Sequence, residues 1–252
     1  MLKNIGRGLL VMAWMMFAAV CAYLIKGLCG FANTLIFSSI LSFQFDNVNI
    51  SPVELLLGYP SNVILAWRER KAVRLRVCLP LALLVLLGNL PGIFLLKNAG
   101  AEWVKLLFGL IIMSLGVEML IRERTAVKGR QVSKGALAII GILSGLLCGL
   151  YGIGALLAAY MSRVTENSSS FKGNLCVVFL IENTFRIVMY SVTGLLTAEV
   201  LQTAVMLVPA MVIGLFLGVQ SSRRLREETV RKAVILLLIL SGAALVWKQI
   251  VA

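Results

Sequence analysis

Apolar residues along this chain gather into eight stretches, at about 9–43, 53–67, 77–96, 103–121, 135–162, 173–193, 200–220 and 233–250. The links between them are short and polar. A helix needs roughly 20 apolar residues to cross a bilayer. The pattern therefore predicts an all-α integral membrane protein of about eight apolar segments. The first and fifth stretches break the rule, because each is too long for one simple span and too short for two.

Both of those stretches contain a cluster of glycines with the same spacing. Gly27-Leu28-Cys29-Gly30-Phe31-Ala32 in the first matches Gly149-Leu150-Tyr151-Gly152-Ile153-Gly154 in the fifth, 122 residues on. Glycines at membrane depth loosen a helix, and loosened backbone is tolerated there only around a protected cavity. The likeness continues downstream. Asn62 matches Asn183, Gly88 and Gly92 match Gly214 and Gly218, Glu102, Val104 and Lys105 match Glu228, Val230 and Arg231, and Gly116 matches Gly242. An ordered run of matches predicts two repeats of four membrane segments each, 1–125 and 126–252, with a glycine-rich broken or re-entrant first segment in both.

Charge sets the orientation. The net charge of +13 is concentrated in the links at 68–76, 122–134 and 223–232, and basic loops between apolar spans belong on the cytoplasmic side. Three stretches lie between the second and third of these links, an odd number joining two cytoplasmic ends. A hairpin at 135–162 that enters and leaves on one face satisfies the count. The same unit in the first half comes out upside down, as an inverted repeat requires. Lys3 and Arg7 then lie outside, against the charge rule; the alternative is one long broken span over 9–43 that starts inside. The N-terminal run resembles a signal peptide, but it continues apolar to Phe43 and reads as an uncleaved first span.

Composition narrows the chemistry. Hydrophobic residues make up 60% of the chain and the mean hydropathy is +0.97, outside the range of soluble domains. No basic surface of domain size exists to bind nucleic acid. Histidine is absent and Asp46 is the sole aspartate, which removes His-ligated metals, Ser-His-Asp hydrolases and paired-aspartate proteases. The five cysteines form no CxxC pair and read as small buried hydrophobes.

Charged and amide side chains inside apolar stretches are the candidates for function. Glu182 and Arg186 are four apart on one helix face near mid-membrane. They form either a self-neutralising lock or an anion site, with Arg186 as the fork for a sulfonate or carboxylate and Glu182 as the coupling or proton-carrying group. Lys26 precedes the first glycine motif and either snorkels to the surface or joins unpaired backbone donors at a broken helix to hold an anion. Asn33 and Thr34 follow that motif and are suited to capping or ligand contact. Pro60 is expected to kink or break its helix, with Asn62 facing Asn183 across a pseudo-two-fold. Tyr151 offers a hydroxyl or packs. The substrate-binding candidates are thus Lys26, Asn33, Thr34, Asn62, Tyr151, Asn183 and Arg186. The Gly-x-x-x-Gly pairs at 88/92 and 214/218 read as close helix contacts. Glu54 and Glu118 read as hydrated span ends, with a proton relay open to Glu54, and the Asn167-Ser168-Ser169 sequon as incidental.

The paired glycine motifs, the eight stretches, the basic central link and Asn183-Thr184-Phe185-Arg186 resemble the sulfite exporter TauE/SafE family. The likeness covers nearly the whole chain and is strongest at Gly145–Tyr190. It implies transport of a small organosulfonate, sulfur oxyanion or carboxylate across the cytoplasmic membrane of a prokaryote. The family's glycine runs are richer; here the copies continue as Ala32-Asn33-Thr34 and Ala155, which bears on the substrate more than on the fold.

The expectation is a secondary transporter of a small anion, working by alternating access between two repeats, without a cofactor but open to proton or sodium coupling. It has no P-loop and is not an enzyme. Expected partners are the anion and the lipid bilayer, with a homodimer left open and no nucleic acid. The rival readings are a non-transporting membrane subunit and an intramembrane enzyme using Cys29 and Cys148.

Overall fold

The computed structural model describes residues 2–41, 45, 47–98, 134–152, 154–165 and 167–222, with a subset of positions within 106–121 and 224–247. Regular structure among the described residues is entirely helical. In chain order come α1 (Leu2–Cys29), α2 (Asn33–Leu41), α3 (Asn47–Arg68), a 3-10 turn (Arg70–Ala72), α4 (Leu75–Asn98), α5 (Lys134–Tyr151), α6 (Ala155–Val164), α7 (Ser168–Val192) and α8 (Ala198–Ser222).

Among the described residues, four helices are long and apolar enough to cross a membrane: α1 over Leu10–Cys29, α4 over Leu75–Phe94, α7 and α8. A shorter apolar helix covers Ala138–Gly149 within α5. Of the eight apolar segments expected, the described residues present these four and the shorter helix. α3 is 22 residues long, but Asn47, Asn49, Ser51 and Glu54 dilute its apolar character. The segments 103–121 and 233–250 lie largely outside the described residues. The apolar surface faces outward in stripes. Leu79, Leu83, Leu87, Leu90 and Phe94 of α4 are exposed, as are Leu201, Val205, Val208, Val212 and Phe216 of α8. Their spacing of three and four puts each set on one helix face, suited to lipid.

Both long stretches break at their glycine motif. α1 ends where Gly30 turns left-handed at φ 88° and its N–H donates to the Lys26 carbonyl at 2.6 Å. α5 ends where Gly152 takes φ 69° and donates to the Cys148 carbonyl at 2.7 Å. A left-handed glycine is the common way to stop a helix, because a Cβ would clash there. Ala32 also has a positive φ, 71°, a strained value for a residue with a Cβ.

The first glycine of each motif does a different job from the fourth. A methyl on Gly27 would lie 2.6 Å from the Leu215 carbonyl oxygen, and one on Gly149 would lie 2.6 Å from the Asn89 carbonyl oxygen. These are close helix contacts, which small residues permit inside a membrane. Gly88 and Gly92 press on Ile142 and Leu146 of α5, while Gly214 and Gly218 press on Val20 and Leu24 of α1, as their spacing predicts. The chief pairings are α1 with α8, α4 with α5 and α3 with α7. Within 106–121 and 228–247, Gly109 meets Gly242.

Pro60 does not break its helix, contrary to expectation, since α3 runs through both Pro52 and Pro60. Near Pro60 the Gly58 carbonyl accepts from Ser61 Oγ at 2.7 Å and faces Lys26 Nζ at 3.5 Å. Asn167 of the sequon has a structural role: its side chain accepts the Ser170 N–H at 2.8 Å and caps α7.

Candidate functional site

The polar residues of the interior converge where the two glycine turns approach α3 and α7. Lys26 comes from the last turn of α1, and Phe31 to Leu35 from the first break and the start of α2. Glu54 and Asn62 come from α3, and Phe179 and Asn183 from α7. Gly152 and Gly154 come from the second break. Together they line one small cavity of about 20 Å³, room for roughly one water molecule.

Lys26 is 1% exposed. Its ammonium lies 3.5 Å from the Gly58 carbonyl oxygen and 5.7 Å from the centre of the Tyr23 ring. No carboxylate of the described residues comes within 4.0 Å of it. The nearby carbonyl, the ring face, the C-terminal end of α1 and the Glu54 carboxylate, which faces it from beyond 4.0 Å, stabilise the cation in part, but an ammonium buried without a direct ion pair remains costly. One turn on from Gly58 along α3, Asn62 lines the same cavity, and its Oδ1 is buried with no hydrogen-bond partner. Buried polar groups are normally satisfied, so a cation and an amide left open toward one cavity mark it as a place for a polar guest.

Glu54 is the residue that sequence reasoning misplaced. It is 3% exposed, not a hydrated span end, because α3 begins at Asn47 and carries Glu54 two turns into the protein. Asn33 Nδ2 donates to its Oε1. The available signal was a polar stripe on one face of α3: Ser51, Glu54, Gly58 and Asn62 recur at spacings of three and four. Glu118 lies outside the described residues.

Arg186 does not line the cavity. It stands behind Gly152, where a methyl on that glycine would lie 2.9 Å from Arg186 Nη1. Its Nη2 donates to Ser51 Oγ at 2.8 Å and Tyr190 Oη at 3.0 Å, and its Nε is 3.6 Å from Glu182 Oε1. Glu182 accepts from Asn89 Nδ2 at 2.7 Å. The pair therefore ties α3, α4 and α7 together; Ser51, Asn89 and Tyr190 were not singled out from the sequence. Five of the seven binding candidates (Lys26, Asn33, Thr34, Asn62 and Asn183) reach the one cavity. The side chain of Tyr151 lies outside the described residues.

The family model for the sulfite exporter TauE/SafE matches residues 15–245. The chain belongs to the TauE/SafE family. It is accordingly a membrane transporter and not an enzyme. No curated protein and no solved structure matches it. As a TauE/SafE protein it places a buried cation and buried amides where two broken helices meet. Charges at membrane depth in transporters mark substrate and ion pathways.

Proposed function

We propose that this TauE/SafE protein carries a small sulfur-containing anion, a sulfite-like oxyanion or an organosulfonate, across the cytoplasmic membrane of a prokaryote by alternating access. The single observation that carries the reading is Lys26, a buried cation without a carboxylate of the described residues within 4.0 Å, lining the cavity between the two glycine turns. Lys26 supplies the positive charge. The Asn62 and Asn183 Nδ2 groups, the Thr34 hydroxyl and the backbone N–H groups at the start of α2 supply donors, while Asn62 Oδ1 is an acceptor. Arg186 holds the second turn from behind and Glu182 neutralises it.

Two repeats, 1–125 and 126–252, of inverted topology suit this mechanism. In support, the helix pairings are reciprocal: α1 with α8 mirrors α5 with α4, α3 meets α7, and Gly109 meets Gly242. A two-fold relation generates that pattern. The turns also reach toward opposite ends of α7. Gly30 packs on the Lys172 stem near its start and Gly152 on Arg186 toward its end, about 21 Å apart at 1.5 Å per residue. The cavity between them is small, which suits a cycle in which one half moves against the other to admit the anion, as in other repeat transporters.

The test is flux in proteoliposomes across sulfite, thiosulfate, sulfoacetate and small carboxylates. Saturable flux of a sulfur anion, above protein-free vesicles and above acetate, is the expected result. A purified chain that moves none of them, yet co-purifies with a fixed partner protein, overturns the reading.

A further inference from the structure

We propose that Glu54 is the proton carrier of this transporter, so that each singly charged anion loads beside Lys26 together with one proton on Glu54 and crosses without net charge. The proposal rests on the anion site argued above and adds its coupling. The sequence pointed to Glu182 for this role. Glu182 is already held by Asn89 at 2.7 Å and Arg186 at 3.6 Å and does not line the cavity, whereas Glu54 does.

The argument is a charge count. Lys26 and Tyr23 of α1 face Glu54, as do Cys148 of α5 and the Glu182–Arg186 pair of α7. Glu182 and Arg186 offset one another, and Tyr23 and Cys148 are neutral hydroxyl and thiol groups. Lys26 and Glu54 remain, one charge of each sign across one small cavity. An anion that pairs with Lys26 brings a second negative charge into the enclosure that holds Glu54. Two anionic groups sharing a desolvated site are relieved when one takes a proton. Asn33 joins the two events, because it lines the cavity and donates to Glu54 Oε1.

The proton balance is simple. On the loading side Glu54 takes a proton from solvent as the anion enters. On the far side both leave, and the carboxylate again faces Lys26 and accepts from Asn33. An empty carrier and a fully loaded carrier then have the same net charge. Both reorient, while a carrier holding the anion alone does not.

The experiment reconstitutes the full chain and uses sulfite as probe in mildly acidic buffer, where it carries a single charge. Two quantities are read: sulfite exchange with equal pH on both sides, and accumulation driven by an imposed pH gradient. For wild type, both are expected, and a membrane potential alone should drive no accumulation. Glu54→Gln, which mimics the protonated side chain, is expected to drop pH-driven accumulation to the level of protein-free vesicles while exchange stays measurable, though slowed. Glu54→Asp should restore accumulation. Accumulation by Glu54→Gln overturns the proposal. So does complete loss of exchange in a Glu54→Gln protein that melts like wild type, or accumulation by wild type in response to potential alone. Wild type that exchanges no sulfur anion overturns the transport reading instead, so the two failures are distinct.

Discussion

Asn33 Nδ2 donates a hydrogen bond to Glu54 Oε1, which fastens the first turn after a broken helix to the polar face of the next one. Removing either partner leaves the other buried in a site with few alternatives. A double-mutant cycle of Asn33→Ala and Glu54→Ala, read from thermal unfolding in detergent, should give a coupling of about 1–2 kcal/mol. Additive losses, within about 0.3 kcal/mol, would mean that the contact contributes nothing.

That contact also marks the limit of what the sequence revealed. The breaks at Gly30 and Gly152 were legible, because clustered glycines inside an apolar run have a direct backbone consequence. The convergence of Lys26, Asn33, Thr34, Asn62 and Asn183 followed from the rule that polar groups in apolar segments face inward. Glu54 was lost because hydropathy placed the start of its helix near residue 53, while Asn47, Asn49 and Ser51 looked like a loop. Polarity lowered the score of a turn that is helical and buried. The partners of Arg186 were invisible for another reason: Ser51 is 135 residues away, and no local pattern links them. Lys172 is buried in the second turn of α7 against Gly30, another contact between residues far apart in the chain.

Gly152 and Gly135 offer a matched contrast. Alanine at 152 must adopt φ 69° and places its methyl 2.9 Å from the Arg186 guanidinium. The backbone strain alone costs about 1–2 kcal/mol. Gly152→Ala should lower the melting temperature and the sulfite flux together. Nothing lies within 4 Å of a methyl at Gly135, so Gly135→Ala should be neutral or stabilising by up to about 1 kcal/mol. Equal behaviour of the two variants would contradict the assigned turn.

The Glu182–Arg186 pair can be separated into lock and ligand. Arg186→Ala leaves Glu182 buried with Asn89 alone, a loss of about 3–5 kcal/mol when one member of a buried pair is removed. Glu182→Gln with Arg186→Met removes both charges and keeps the volume. That double variant should recover most of the melting temperature and regain flux, measured in the same vesicles. A stable double variant with no flux would assign the guanidinium to the anion itself.

Topology is open to direct labelling. Four of the five native cysteines are buried, so an introduced surface thiol stands out. Lys71→Cys in the first basic link and Arg224→Cys in the third should react with a membrane-impermeant maleimide from the same side, the cytoplasmic one. Reaction from opposite sides would break the inverted arrangement of the repeats.

The most direct measurement is sulfite exchange by Lys26→Met beside wild type, both reconstituted at equal density. Methionine keeps much of the length and the apolar stem but removes the one cation among the described residues that line the cavity. Wild type should exchange sulfite, and Lys26→Met should fall to the level of protein-free vesicles while its unfolding curve remains cooperative. Exchange by Lys26→Met at the wild-type rate would contradict the assignment of the anion site between the two glycine turns.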